Sequence, residues 1–475
     1  MPSEAAHAVN APLSLAGTPA ASPLGYYSWT FGQFARDPYY IMVVIYLFFP
    51  YFSNVVVGDP VRGQSLIGYL NATAGVILAI TAPFLGAIAD KNGRRKPWVG
   101  VTVAFMSLGA CLLWFVEPAG EGLGVTLTLA LLLAISVAFA ISEVFHNAML
   151  PSVAPVDRLG RVSGVAFALG NVGGLGLMLF VLFAFAMPGT NDWSFLPDAP
   201  LFGIDRATHE HDRLVGPLSG VWMFLLTLPV LLFTPDGQSS GTPMGEAARQ
   251  GMRDVVKTLS QLPHYSNLAI YLFSRMMFID GMVGVMTFGG IYASGTFGWE
   301  STTLLIFGLC SSASAMFGAW AGGLLDDALG SLGALRVAIV ASSLILLVLV
   351  SIEPDTIFFV VTVGTEPVWD FPYFRTTAEI VYFGTNQIFA MFFVTGLSAS
   401  RTLMARISPP EMATQFFGLF ALSGTVTAFL APLMVATTTS FFESQRAGFA
   451  SLASLMVLGA LVLMRVREER ATVAD

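Results

Sequence analysis

Four ionisable residues interrupt long apolar runs in this sequence: Arg36 and Asp37 near the start, Arg275 and Asp280 past the middle. An ionised side chain near the centre of a bilayer costs about 2.5–3.5 kcal/mol on insertion scales, so each is expected to face protein or a water-filled chamber. Arg36 and Arg275 fall at matching places in two similar halves of the chain. As a roughly symmetric pair facing a central cavity, they could hold a carboxylate through charge-assisted forks. Asp37 and Asp280 are carboxyls that could take up and release protons. Arg275 and Asp280 lie five residues apart, roughly 140° around a helix, so they do not neutralise each other and each needs another partner. For Arg36 a second reading stays open, an ion pair with a neighbouring carboxylate near the membrane surface.

Another polar group sits on the fourth apolar run. His146 and Asn147 follow Glu143 by three and four residues, which places all three toward one helical face. A carboxylate beside an imidazole can relay a proton; the alternative is a hydrated pair flanking the loop beyond Pro151. On the tenth run Glu379 and Asn386 are two turns apart with Gln387 alongside, and Asn386 and Gln387 are expected to contact a solute. His209 and His211 form a His-x-His pair. On an acidic loop such a pair is expected to be solvated, so no metal site and no cofactor is expected.

Composition dictates the elements that carry these residues. Hydrophobic residues make up 55% of the chain and charged ones 11%, with 39 Phe against 22 Lys plus Arg; mean hydropathy is +0.73. A soluble domain carries more charge and less apolar surface. Apolar runs recur near 32–57, 64–89, 97–116, 123–147, 161–187, 216–234, 265–294, 301–325, 333–352, 377–402, 413–440 and 446–465. Each can cross a hydrocarbon core of about 30 Å at about 1.5 Å per helical residue. They are continuously apolar rather than alternating, which excludes barrel strands. The fold class is therefore all-α integral membrane with twelve transmembrane helices. Cys111 and Cys310 lie in different spans and make neither a disulfide framework nor a metal spacing. The net charge of −8 argues against a nucleic-acid partner. Walker, Rossmann and His-Glu-x-x-His patterns are absent, so an enzyme is not expected.

Loop charges orient the chain. With both termini inside, inner loops and tail hold fifteen Lys and Arg residues and outer loops five, in the N-in, C-in sense. Residues 1–30 lack a basic stretch before an apolar core, so they are expected to be a disordered cytoplasmic tail and not a signal peptide. Residues 31–234 form a first six-helix bundle, 235–264 a cytoplasmic linker, 265–466 a second bundle and 467–475 a tail. In the linker Met252, Val255, Val256 and Leu259 recur at helical spacing beside Arg253 and Lys257, as in an amphipathic helix lying on the membrane. The halves repeat. "FARD" at 34–37 matches "FSRM" at 273–276, "GAIAD" at 86–90 matches "GGLLD" at 322–326, and 155–170 align with 409–424 without a gap. Two related bundles about a midplane site are the architecture of many secondary transporters.

Between the second and third runs, Asp90, Lys91, Arg94, Arg95 and Lys96 crowd five charges into seven positions. Asp90 and the basic residues after the Gly93 turn could clamp neighbouring helix ends together as a cytoplasmic gate; the alternative is that the cations only anchor topology. Asp326 is the counterpart in the second half, where the sequence shows no adjacent basic cluster. Arg401, at the inner end of the tenth run, belongs with the gate or the topology anchors.

Gly86, Asp90, Gly93, Arg94 and Arg95 match the G-x-x-x-D-[RK]-x-G-[RK]-[RK] signature of the major facilitator superfamily. Within it the chain resembles the vacuole effluxer-like branch, bacterial relatives of an autophagy-linked vacuolar amino-acid effluxer. The carriers are "FFPYF" at 48–52, "HNAMLPSVAP" at 146–155, "LFGIDRATHEHDRLVGP" at 201–217, the stretch 275–299 and "SRTLMARISP" at 400–409. The resemblance covers nearly the whole chain. It implies two pseudo-symmetric six-helix bundles and secondary active transport of an amino acid-like or carboxylate-bearing metabolite by alternating access. Coupling to protons, residence in a bacterial inner membrane and a monomeric state are expected with it. A lipid or lysolipid translocase of the same fold is the competing reading.

Overall fold

Ser22 starts the first helix by accepting the Gly25 backbone N–H at 3.3 Å, with Pro23 in the first turn where its missing N–H costs nothing. The computed structural model describes residues 12–14, 17–92, 94–189, 193–237, 245–246, 249–250, 252–253, 256, 260, 262–408 and 413–468, excepting the side chains of 83, 87, 89–92, 262–263 and 413–417. Residues 23–30, expected in a disordered tail, are therefore helical, and Tyr26 and Trp29 are buried. The cap, the proline and two buried aromatics outweigh the low hydropathy of that stretch.

Among the described residues, eleven helices are long and apolar enough to cross a membrane. We number the crossings α1 (Pro23–Val56), α2 (Pro60–Asn92), α3 (Lys96–Phe115), α4 (Val125–Val153), α5 (Val156–Ala186), α6 (Glu210–Phe233) and α7 (Ser266–Phe297). Ser301–Val350 is one 50-residue helical element, but Gly330 inside it has φ 74° and ψ 163°. That left-handed glycine reverses the chain and divides it into α8 (301–329) and α9 (331–350). α10 (Thr377–Ile407), α11 (Ala413–Val426 continued by Leu430–Phe442) and α12 (Gln445–Leu463) complete twelve crossings. The start of α1 and the end of α12 then lie on one face, called here the terminal face; the opposite one is the far face. On the far face a short pair, β1 (Thr356–Ile357) and β2 (Val361–Thr362), runs antiparallel with Thr356 opposite Thr362; no hydropathy signal marks it. The proposed amphipathic helix in 235–264 falls largely outside the described residues.

α1 is not a regular α-helix. Tyr40–Tyr46 and Phe52–Val56 are wound as π-helix, Leu47 between them leaves the helical region, and Pro38 and Pro50 interrupt the hydrogen-bond ladder. α1 lies tightly on α5, because a Cβ on Gly170, Gly173 or Gly174 would collide with Asp37, Phe34 or Ile41. Gly164 and Gly176 face open space and take no part in that contact.

The two bundles join toward the far face. Asn54 Nδ2 of α1 donates to Ser294 Oγ of α7 at 2.6 Å, Gln64 Nε2 of α2 to Thr439 Oγ1 of α11 at 2.7 Å, and Gln445 Nε2 of α12 to Pro60 O at 2.9 Å. Gly290 of α7 presses on the Ile45 carbonyl, with no room for a Cβ. Gly290→Ala is therefore expected to pry α1 from α7, at a cost of about 1–3 kcal/mol for overpacking against backbone. Spin labels on the far ends of α1 and α7 should report a longer distance distribution and a lower melting point. An unchanged distribution at unchanged stability would mean this contact is not part of the seal.

Candidate functional site

Trp29, Gly32 and Arg36 follow one another by three and four residues and so share the face of α1 turned to α4. Ser142 and His146 form the facing stripe on α4. Gly32 has no Cβ because the His146 ring occupies that space. The ring stacks on Trp29 at 4.5 Å between centroids and 7° between planes. Trp29 Nε1 donates to the His146 carbonyl at 2.9 Å, and His146 Nε2 meets the Trp29 carbonyl at 2.9 Å. Arg36, only 1% exposed, donates through NH1 to Ser142 Oγ at 3.1 Å and points NH2 at His146 Nδ1, 3.2 Å away.

These partners dictate the state of His146. A carbonyl can only accept, so Nε2 carries the proton; a guanidinium can only donate, so Nδ1 carries a lone pair. A second proton on the ring would face Arg36 donor to donor. The expected relay between Glu143 and His146 is accordingly not formed. His146 turns into α1, while Glu143 and Asn147, a full turn apart, are exposed. Glu143 instead interacts electrostatically with Arg36 and Asp37. The alternative reading of Arg36, an ion pair near the membrane surface, does not hold either, since its direct partners are neutral and buried.

Arg275 of α7 is held inside the second bundle. Its NH1 donates to Phe420 O at 2.8 Å and Ser423 Oγ at 2.6 Å, and its guanidinium sits 3.6 Å over the Phe420 ring. Arg36 and Arg275 thus correspond in sequence but not in partners: one is bound by α4, the other by α11. Both guanidinium groups are buried and the hydrogen bonds they make lie within their own bundles, while Nε of each is without a partner among the described residues. As the 140° separation requires, Asp280 has a different neighbour, the Thr427 hydroxyl of α11. Asp280 Oδ2 and Thr427 Oγ1 are both buried without a hydrogen-bond partner among the described residues.

Asn386 and Gln387 of α10 reach α8. Asn386 Nδ2 donates to Ser311 Oγ at 3.0 Å, and Ser314 Oγ donates to Gln387 Oε1 at 3.1 Å. The Tyr46 hydroxyl of α1 approaches the same Ser311, so a polar strand links three helices across the bundle boundary. Tyr46 and Ser311 carry no sequence signal beyond being polar groups in apolar runs.

Of the charged cluster after α2, Arg95 and Lys96 bond to groups at the ends of neighbouring helices. The backbone N–H groups of Arg95 and Lys96 share Asp236 Oδ1 at 2.9 and 3.3 Å, Arg95 NH1 donates to Ser152 Oγ at 3.0 Å, and Lys96 Nζ to Thr234 O at 2.7 Å. Among the described residues these bonds tie α3 to the ends of α4 and α6 and do not bridge the bundles. Arg94 is exposed, Gly86 faces open space, and the Asp90 side chain and Gly93 lie outside the described residues. Asp326 accepts from Ser331 Oγ at 2.6 Å. The basic partner missing from its sequence neighbourhood arrives from α10: Arg406 lies 3.9 Å from Asp326 and 2.9 Å from Glu468, whose other oxygen accepts the Leu332 N–H. Arg401 is exposed, 5.9 Å from the Phe167 ring of α5 in the other bundle, and interacts electrostatically with Arg275.

On the far face the His-x-His pair is not solvated as expected. His209 Nδ1 meets Asp212 Oδ2 at 2.9 Å, which holds the His209 pKa above its ordinary value. His211 and Asp212 are buried, and Ser301 of α8 donates to Asp212 across the bundle boundary.

Comparison with known proteins agrees with this architecture. The family model described as "Vacuole effluxer Atg22 like" matches residues 154–475, and that of the Major Facilitator Superfamily matches residues 5–200. YxiO of Bacillus subtilis (strain 168), described as an uncharacterized MFS-type transporter, is 24% identical over 456 residues, covering 94% of this chain and 95% of YxiO. Autophagy-related protein 22 of Cryptococcus neoformans is 23% identical over 333 residues, 65% of this chain; the match spans about half, 53%, of that longer protein. Among solved structures, a D-xylose-proton symporter superposes with a TM-score of 0.65 at 12% identity, over 94% of this chain and 98% of its own. The nucleoside transporter NupG gives 0.60 at 13% identity, over 94% of this chain and 99% of its own. At that identity they speak for the fold alone.

Proposed function

This chain belongs to the Atg22-like vacuole effluxer family of the major facilitator superfamily, and from that premise we propose that it carries a zwitterionic solute of the α-amino-acid class by alternating access. It is a multi-pass membrane transporter and not an enzyme; the solute, the coupling and the orientation are our reading. One observation carries the choice of solute. Exposed Glu143 and half-buried Asp37 belong to the first bundle, whereas exposed Arg401, beside Arg275, belongs to the second. A solute with an ammonium at one end and a carboxylate at the other would be attracted to both, and binding would draw the bundles together. Asn386 and Gln387 would supply neutral hydrogen bonds from the α10 side.

The remaining roles follow from placement. Gly86 meets nothing in this conformation, which suits a surface that closes against the second bundle in another one. The Asp90, Arg94 and Arg95 cluster and the Asp326 and Arg406 cluster would then exchange bonds within bundles for bonds between them. Asp280, with an oxygen unpartnered in the interior, is the proton-coupling candidate. The excess of cations in the terminal-face loops supports termini in the cytoplasm of a bacterium.

Counterflow in proteoliposomes tests the solute class. Labelled neutral amino acids are expected to exchange, dicarboxylates and lysophospholipids not. Glu143→Gln is expected to weaken exchange by about tenfold or more, the scale of losing one charged partner of a desolvated ion pair. Exchange of lysophospholipid alone would replace this reading with lipid translocation.

A further inference from the structure

The far-face loop between α9 and α10 carries a turn that its residues do not favour. Phe358, Phe359 and Val360 join β1 to β2, and the Val360 N–H closes the turn on the Ile357 carbonyl at 3.3 Å. Both residues inside that turn, Phe358 and Phe359, have positive φ, 53° and 64°. A hairpin turn with both central residues in that region favours Asn-Gly, because a bulky residue there is crowded by its own Cβ. The core does not need the two rings either: Phe358 is 54% exposed, Phe359 60% and Val360 80%. Large apolar side chains held in a costly conformation and left outside the protein have their reason outside it.

The hairpin's own bonds fix its height. The Phe359 N–H donates to Ser351 O at 3.3 Å, which folds the tip back beside the end of α9 instead of raising it away from the bundle. Val337, Val340, Leu344 and Leu347 form an exposed apolar stripe along α9, the surface it shows to lipid, and the stripe ends one turn before Ser351. Arg446, at the start of α12, donates through Nε to Val350 O at 2.8 Å, pairs with Glu353 and holds its guanidinium 4.6 Å from the centre of the Phe359 ring. A paired arginine against an aromatic ring, where two crossings end, suits the boundary between hydrocarbon and headgroups. We propose that Phe358, Phe359 and Val360 insert into the far-face leaflet at that boundary and moor the second bundle to lipid. Charge decides the mode of contact. Between 353 and 375 the loop holds Glu353, Asp355, Glu366 and Asp370 against Arg375 alone, so anionic headgroups offer it no attraction and insertion is apolar. This inference needs only that the chain crosses a membrane and is independent of the solute.

The test uses the full-length protein in nanodiscs, with Cys111→Ala and Cys310→Ala removing both native thiols. Val360→Cys carries a bimane label at the tip, and Glu366→Cys, exposed later in the same loop, carries it as the aqueous reference. Phosphatidylcholine spin-labelled near its headgroup is expected to quench the tip label and not the reference. Aqueous iodide should quench the reference several-fold more strongly than the tip, and tip emission should lie to the blue. Adding phosphatidylglycerol should change none of this. Phe358→Asn together with Phe359→Gly supplies the pair that the turn favours, so it keeps the hairpin while removing both rings. In that double variant the tip label should lose its lipid quenching and become as open to iodide as the reference. Lipid quenching indifferent to the double variant, or present only with phosphatidylglycerol, would overturn apolar insertion. Iodide reaching the parent tip as freely as the reference would overturn it too, and would leave the tip in water, as a surface for a protein partner would be.

Discussion

Arg36→Met is expected to be among the most destabilising single changes in this protein, by about 2–6 kcal/mol for two buried acceptors left unsatisfied at about 1–3 kcal/mol each. The guanidinium is buried and bonded to Ser142 and His146, and it interacts with both Asp37 and Glu143. Methionine fills much of the volume but leaves Ser142 Oγ and His146 Nδ1 without a donor. It also removes the cation that interacts electrostatically with both Asp37 and Glu143. Arg36→Lys should recover only part of the loss, since one ammonium cannot reproduce the two-nitrogen fork that reaches both partners. Melting of the purified protein checks the first claim. Melting of Arg36→Lys checks the second, and a double-mutant cycle of Arg36→Met with His146→Leu checks their coupling: the pair should lose less together than the sum of the singles. A melting point for Arg36→Met equal to that of the parent would show that the α1–α4 network does not hold the bundle.

Asp280→Asn is expected to abolish accumulation driven by a pH gradient while counterflow exchange stays measurable. Asparagine keeps the size and polarity of the side chain but has no proton to exchange. Asp280 is 5% exposed, with one oxygen unpartnered beside the unpartnered Thr427 hydroxyl. An ionised carboxylate in that position is costly, so its occupancy by a proton changes the energy of the α7–α11 contact. Arg275, which occupies other groups of α11, would feel the same change. Uptake with and without an imposed pH gradient, alongside counterflow, separates the outcomes. Equal loss of both activities would assign Asp280 to binding or folding and remove it from coupling.

How far the site was legible follows from which residues announce themselves. Arg36, Arg275 and Asp280 stand out because charge is rare in apolar runs, and all three are buried in the bundles. Their partners did not stand out. Ser142, Phe420, Ser423 and Thr427 are ordinary residues of membrane helices, distinguished only by what they touch. Glu143 and His146 looked paired from their spacing, yet a difference of about 60° in helix rotation separates them, and it turns His146 toward α1 while leaving Glu143 exposed. The partner of Asp326 was hidden for another reason. Arg406 lies eighty residues away in sequence, on α10, and only the packing of α10 beside α8 brings it within reach.

By itself the sequence determined the helical membrane class, the number of crossings, the two-bundle plan and the family. Each of these depends on sums over consecutive residues or on short motifs, quantities that need no knowledge of neighbours. Only the tertiary structure decided which face of each helix is turned inward, that Arg36 is locked by α4 while Arg275 is locked by α11, and that Asp212 beside the His-x-His pair meets Ser301 of α8. Those outcomes depend on the rotation and contact of helices far apart in the chain. A hydrogen bond is set by position in space to within a few tenths of an ångström, and no pattern along one strand of sequence carries that information.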